Sequence, residues 1–315
     1  MTAEIGFSAS YRDFSESLEA YMILSTQTDY LGRKFGDIEA VNILADAGFD
    51  ALDYTMFAMR EDDCVLNTPD YKAYILALKQ AAERRGLTFR QAHAPFPSSK
   101  ADDAYNAAMF EKLTRSIEIA GFLGAKIIVI HPMHHLPYDK NAALLKEMNM
   151  DFYRSLAPYA KAAGVKIALE NMWQRDEEKR IVPSACSRTK EFADWLDTLA
   201  DDCFTACLDL GHAGLYGFDA AEMIKGLGSR LGALHVHDND YQGDQHIAPY
   251  LGKMHWDTIC EALAEVGYPG DLTLEADNFF NPFGEVLASD TAKFLCAIGR
   301  NLIVRIEDAK KGTQI

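Results

Sequence analysis

A single (β/α)8 barrel is the fold class this sequence predicts, and three observations predict it. Eight short, largely apolar β-like segments recur along the 315 residues, each followed by a longer stretch of helical character; such alternation marks a parallel sheet with crossover helices. A count of eight favours closure of that sheet, and α/β barrels of this length occur as one domain. Finally, His, Asp and Glu fall at or just beyond the C-terminal ends of these segments, the face on which barrel enzymes carry their sites.

The β-like segments are 4–8, 49–54, 88–94, 126–131, 166–170, 204–209, 231–235 and 271–275. Residues 9–36 fit neither periodicity well and are read as an irregular first βα loop over the barrel mouth, where it would shape the substrate site. Thr68 and Pro69 read as the N-cap and first turn of a helix that Gly86 stops before the third strand. Gly48, Gly124, Gly164 and Gly267 are placed to stop other helices. Ser187 is the expected cap of a helix over 188–200, where Phe192, Trp195, Leu196 and Leu199 form an apolar face at helical spacing. That stripe is core packing. No linker, low-complexity tract or close repeat interrupts the pattern, so one barrel domain is expected over 1–315.

Hydrophobic residues make up 49% of the chain and charged ones 25%, an ordinary globular balance able to bury a sizeable core. Lys and Arg number 31 against 47 Asp and Glu, for a net charge of −16, which opposes non-specific attraction to nucleic acid or an anionic membrane. The start MTAEIGFSAS lacks the basic residues and apolar run of a signal peptide, and no stretch approaches a membrane span. A cytoplasmic protein is expected. The six cysteines are scattered without a CxxC pair and read as reduced thiols, with Cys203 and Cys207 as small groups inside the barrel.

The third segment ends in Gln91-Ala-His93-Ala-Pro95, the fourth in Ile130-His131-Pro132, and the fifth in Leu169-Glu170-Asn171. The sixth carries Asp209-Leu-Gly-His212, the seventh His235-Val-His237-Asp238-Asn239-Asp240, and the eighth Leu274-Glu275-Ala-Asp277; Asp244-Gln-His246 lies in the seventh loop. One strand-end His or Asp is ordinarily a hydrogen-bonded partner or a helix cap. Gathered at one mouth, at least four carboxylates would repel one another unless protonated or metallated, and a bound cation is the simpler answer. Oxygen and imidazole ligands without thiolate suit Mn²⁺, Mg²⁺, Co²⁺ or Zn²⁺ alike.

Taken in order, HAPF, HP, LEN, DxGH, HxHDND, DxH and LE, from Gln91 to Glu275, resemble the xylose-isomerase-like barrels, which include sugar isomerases, ketose 3-epimerases, inosose dehydratases and apurinic endonucleases. Each motif is short; their order and strand placement carry the resemblance, which spans most of the chain. For a sugar epimerase it implies one divalent metal on Glu170, Asp209, His235 and Glu275, with Glu170 and Glu275 also moving the proton beside the carbonyl, one on each face. It implies that His212 meets a substrate oxygen. His93, His131, His237, His246, Trp173 and Asp176 are the remaining candidate substrate contacts, Asp176 replacing the family's glutamate and Tyr241 its arginine. Those two departures leave isomerisation, epimerisation and dehydration open.

Two alternatives follow from the same residues. Apurinic endonucleases hold three zinc ions on nine ligands, whose counterparts are His93, His131, Glu170, Asp209, His212, His235, Asp244, His246 and Glu275. The acidic balance and the lack of basic loops oppose a nucleic-acid substrate. A metal-stabilised barrel that binds sugar without turnover is the other. The expected partner is a small sugar, with association between copies of the chain left open. His134 and His135 read as a solvated loop pair, with a place in the pocket lining open to His134, and Lys253 as a solvated lysine rather than a phosphate or carboxylate contact.

Overall fold

Residues 22–313 are described by the computed structural model, and within them the apolar segments become a ring of parallel strands. In chain order the strands are β1 (Leu24–Gln27), β2 (Ala51–Thr55), β3 (Thr88–His93), β4 (Ile127–Val129), β5 (Lys166–Glu170), β6 (Trp173–Arg175), β7 (Ile181–Pro183), β8 (Phe204–Asp209), β9 (Leu231–His235) and β10 (Leu272–Leu274). Eight of them pair in the order β10, β1, β2, β3, β4, β5, β8, β9. The ring closes between β9 and β10, where Val236 N donates to Thr273 O (2.9 Å) and Glu275 N to Val236 O (3.0 Å). This is a (β/α)8 barrel. β6 and β7 form a separate antiparallel ribbon after β5.

Helices alternate with the strands: α1 (Asp29–Phe35), α2 (Asp37–Ala47), α3 (Tyr71–Arg84), α4 (Asp103–Leu123), α5 (Tyr138–Ala163), α6 (Thr189–Leu199), α7 (Leu210–Leu215), α8 (Ala220–Leu227), α9 (Trp256–Glu265) and α10 (Ala288–Thr313). Gly124 (φ 96°) and Gly164 (φ 67°) end α4 and α5 in the left-handed conformation that only glycine adopts without strain. The stripe Phe192, Trp195, Leu196 and Leu199 of α6 is buried, as its spacing requires.

Three expectations are corrected. The barrel's first described strand is Leu24–Gln27, with α1 directly after it, inside the stretch assigned to an irregular loop. Its Ser25, Thr26 and Gln27 are all buried, and two of them have polar partners: Thr26 Oγ1 donates to Leu274 O at 3.2 Å and Gln27 reaches Glu275. The apolar run of residues 21–24 leads into the strand but breaks off at Ser25, just after the strand begins. The segment 4–8 lies outside the described residues. Ser187 does not cap α6; Arg188 holds the N-cap position, and the buried Ser187 Oγ has no partner. Thr68 closes a preceding turn, donating to Val65 O and accepting from Asp70 N, so α3 begins only at Tyr71.

Alternation along each strand divides the core in two. Side chains such as Leu52, Ile128, Leu169, Leu208 and Leu234 join the large cluster with the helices, each contributing roughly 1.5–3 kcal/mol on burial. A smaller cluster, Val129, Ala168, Cys207 and Ala233, stands apart from it. Ala168, Cys207 and Ala233 come two residues before Glu170, Asp209 and His235. They therefore share the strands' inward face and form a floor of small groups below them. At the opposite end, Asp50 clasps α10 to β1, taking Leu24 N (2.8 Å) and both terminal nitrogens of Arg300 (2.6 Å each).

Candidate active site

Four strand ends converge. Glu170 ends β5, Asp209 ends β8, His235 ends β9 and Glu275 follows β10; each offers a ligand atom, and these atoms all lie within 4.8 Å of one another. All four side chains are buried. His235 Nδ1 lies 3.3 Å from Glu170 Oε1 and 3.0 Å from Glu275 Oε2. Its other nitrogen faces Asp53 Oδ2 at 3.6 Å, and Gln91 steadies that carboxylate with a 3.0 Å hydrogen bond. Backing an imidazole with a carboxylate fixes its ring and raises its basicity as a ligand.

Asp209 does two jobs. As N-cap of α7 it accepts from His212 N (2.7 Å), and its oxygens lie 3.0 and 3.1 Å from His237 Nε2. The glycine of the DxGH motif follows from this: a Cβ on Gly211 would overlap the His237 ring. The remainder of HxHDND is architecture. Asp238 accepts from Asn239, Tyr250 and Met254 N–H groups and from Trp256 Nε1; Asn239 donates to Gly211 O.

Above this cluster opens a cavity of about 700 Å³. His93, His131, Glu170, Trp173, His212, Asp244, His246 and Glu275 line it. The imidazoles share a pattern. Nδ1 of His93 sits 2.8 Å from Ala94 O, that of His212 2.8 Å from Asn171 O, and that of His246 3.0 Å from Glu275 O. Anchored on carbonyls, the three rings turn Nε2 inward. Nε2 of His212 and of His246 bracket Asp244 at 3.4 and 3.2 Å, and His131 Nε2 lies 3.0 Å from Glu170 Oε2. Trp173 Nε1 donates to Asp244 Oδ2 at 3.3 Å, tying the β6–β7 ribbon to the seventh loop.

The electrostatics are those of crowded opposite charges. Burial pushes the Glu170 carboxyl up, but the imidazoles of His131 and His235 outweigh it and hold it well below the usual range. Burial works against a charge on His212, yet Asp209 and Asp244 carry its pKa up to about 10. His134, buried and beside other imidazoles, is pushed down to about 4. Asp277, under burial and the charges of Asp29 and Glu275, rises to about 8.

A cation fits this arrangement. Among the described residues the carboxylate oxygens facing the cluster meet only imidazole nitrogens, Glu170 Oε2 that of His131 at 3.0 Å, Glu275 Oε2 that of His235 at 3.0 Å and Asp244 Oδ1 that of His246 at 3.2 Å, and a cation would relieve the crowding of buried carboxylates. The all-oxygen-and-imidazole donor set matches a borderline or hard divalent ion. Further His, Asp and Glu groups of ligand geometry overlap it: His93, Glu170 and His235; His212, Asp244 and His246; His237, His246 and Glu275.

Two candidate substrate contacts lie outside the cavity lining. Asp176 turns into the ribbon's hairpin, accepting from Arg180 N (2.8 Å) and Nε (2.7 Å); an offset of six residues does not carry a side chain to the same place when the chain folds back. His237 lies beneath Asp209, fully buried. Tyr241 is also turned away and donates to Lys253 O. Of the two readings of His134, the one that lines the cavity holds. Phe96 and Asp277, quoted in the motifs without a role, also line it, as do Gln27, Arg33, Phe57 and Arg60, which no motif contained.

The family model described as xylose isomerase-like TIM barrel matches residues 41–297. An uncharacterised protein of Mycobacterium leprae is 27% identical over 212 residues, 63% of this chain and 72% of that one. A D-psicose 3-epimerase of Enterocloster bolteae is 24% identical over 238 residues, 72% of either chain. Among solved structures, the D-psicose 3-epimerase of Clostridium cellulolyticum H10 with D-tagatose superposes at a TM-score of 0.69 with 19% identity, covering 90% of this chain and 99% of that one. That last likeness is one of fold. No helix among the described residues is long and apolar enough to cross a membrane.

Proposed function

The chain belongs to the xylose isomerase-like TIM barrel family, and from that premise we propose that it is a divalent-metal-dependent isomerase or epimerase of a sugar-like ketose. The observation that carries the reading is the set Glu170, Asp209, His235 and Glu275, brought from four strand ends to within 4.8 Å. The family's D-psicose 3-epimerases among its relatives support the same class of chemistry.

These four residues would hold the ion, which when bound supplies Lewis acidity at the substrate carbonyl. Glu170 and Glu275 act as the two bases. Each turns its Oε2 to the cluster, 3.0 Å from His131 Nε2 for Glu170 and 3.0 Å from His235 Nδ1 for Glu275, where it takes a proton from the carbon beside the carbonyl or returns one. Removal by one glutamate leaves an enediolate, and reprotonation by the other, from the opposite face, inverts the carbon. Gln27 holds the far oxygen of Glu275 at 2.7 Å, so the reacting oxygen keeps its aim. His212, fixed through Nδ1 on Asn171 O, presents Nε2 to a substrate oxygen. Trp173 walls the same side.

A second reading has its own observation: the inward Nε2 atoms of His93, His212 and His246, with Asp244 between two of them, could hold further ions and support phosphodiester cleavage. Metal content per chain separates the two. About one divalent ion supports the sugar enzyme, and about three zinc ions support the other. Solvent-deuterium incorporation into a panel of ketoses then tests the bases: E170Q and E275Q should each abolish it, and retention in both variants would remove the two-glutamate mechanism.

A further inference from the structure

Sugar chemistry at the metal-ligating cluster uses only the inner part of a cavity whose roughly 700 Å³ is of the size that houses ligands well beyond a single sugar. On the β2 and β3 side the outer wall is Phe57, Arg60, Phe96 and Pro97. There a stack runs outward from the cluster. Phe96 lies on His131 with ring centroids 4.9 Å apart and planes at 27°, and the Arg60 guanidinium carbon sits 5.1 Å over Phe96. Arg60 Nε donates to Phe57 O at 3.1 Å. One edge of the guanidinium is thereby fixed, and its two terminal nitrogens make no hydrogen bond or ion pair among the described residues. Arg33, elsewhere on the cavity wall, differs: it is spent on Asp29 at 2.8 Å.

Other cations gather behind Arg60. Lys112 Nζ donates to Arg60 O (3.1 Å) and pairs with Asp62 (3.0 Å). Lys100 Nζ lies 4.1 Å over the Tyr105 ring, whose hydroxyl donates to Pro97 O; Lys100 has no carboxylate partner among the described residues. Exposed carboxylates stand close by, Glu61, Asp62 and Asp63 after Arg60 and Asp102 and Asp103 after Lys100, yet among the described residues none of them pairs with Arg60 or Lys100, and Asp62 is taken by Lys112. A planar guanidinium held by stacking, with its fork open, is the group that takes a phosphate or carboxylate in two parallel hydrogen bonds.

We propose that this outer subsite binds an anionic substituent, phosphate or carboxylate, on the end of the sugar remote from the reacting carbon, with Arg60 as its ligand. The proposal rests on the sugar reading of the inner site. It makes Arg60 the residue that selects charged over neutral substrates.

The test is calorimetric binding to the manganese-loaded full chain, in phosphate-free buffer, of fructose, fructose 6-phosphate and fructuronate. The wild type should bind one of the two anions about 10- to 100-fold more tightly than fructose, and which of them it prefers decides between phosphate and carboxylate. R60M should bring that ratio close to one, while R60K, which keeps the charge without the fork, should retain part of it. Equal affinity for neutral and anionic sugars in the wild type, or an undiminished ratio in R60M, overturns the subsite. Binding is read without turnover, so the two readings fail separately. Preference for an anion with no solvent exchange in any sugar keeps the subsite and removes the proton-transfer mechanism; exchange with no preference does the reverse.

Discussion

Replacing Gln27 with leucine should weaken metal binding without unfolding the barrel. Gln27 Nε2 donates to Glu275 Oε1 at 2.7 Å, and both residues are buried. No other donor reaches that oxygen among the described residues. A hydrogen bond to a charged group is worth about 1.5–3 kcal/mol, which at about 1.4 kcal/mol per decade is roughly 10- to 150-fold. The range agrees with the 10- to 100-fold that outer partners of metal ligands usually supply. Leucine keeps nearly the same volume, so packing against β10 survives while the carboxylate loses its donor and its orientation. The assay is competition for Mn²⁺ or Zn²⁺ against a chromophoric chelator, with a thermal melt of the metal-free protein as the control for folding. An affinity within about twofold of wild type, in a variant that melts normally, would show that Gln27 does not hold Glu275 for the metal.

The remaining expectations concern the motif glycine, the strand clasp and the aromatic wall. G211A drives a methyl into the His237 ring, and overpacking of this kind costs about 1–3 kcal/mol; a melting temperature equal to wild type together with full metal affinity would contradict the packing described. Burial pushes the Asp50 carboxyl up, but Arg300 and the Leu24 N–H outweigh it and lower its pKa. Its contribution is therefore present above about pH 3.9, the unfolded value, and is lost as pH falls through the folded one. With Asp50 and Arg300 both partly exposed, D50A should cost about 1–2 kcal/mol in urea unfolding at pH 7 after allowance for solvent screening, and clearly less at pH 3; an equal loss at both would mean the charge is not what matters. W173F keeps the aromatic wall but loses the 3.3 Å bond to Asp244, so KM for the sugar should rise about 2- to 10-fold with kcat largely retained; an unchanged KM would mean the ribbon does not position Asp244.

What the sequence made legible follows from where apolar burial and local chemistry coincide. Segments 166–170, 204–209 and 231–235 match β5, β8 and β9 to the residue, because each is an apolar run ending in a ligand-type side chain. The stripe of α6 was equally plain. β1 was hidden by the converse: past Leu24 it continues through Ser25, Thr26 and Gln27, of which Thr26 bonds Leu274 O and Gln27 bonds Glu275, so the apolar run of residues 21–24 ends as the strand begins. The motifs located Glu170, Asp209, His235 and Glu275, while the rest of HxHDND carried no readable role beyond a substrate contact at His237, and in the fold His237, Asp238 and Asn239 support other residues. Arg60 and Asp277 reach the cavity from loops, and their distance from the cluster exists only once the ring has closed. Asp176 lies outside the cavity lining because its loop forms a hairpin.

The floor of small residues gives the barrel an adjustment from below. Ala168, Cys207 and Ala233 each stand two positions ahead of a ligand on the same inward face, and Cys207 pairs in register with Glu170 and with Ala233. An added methyl there would lift or tilt three of four ligands together, since close packing transmits volume changes. In the proposed metal site, spacing among the four residues, and with it the choice of ion, would thus drift through substitutions that never meet the proposed substrate. Loops such as those bearing Arg60 and Trp173 can change the substrate while the ion stays put. Selection for a new metal and selection for a new sugar act on different layers of the same molecule, and a library aimed at either should leave the other layer alone.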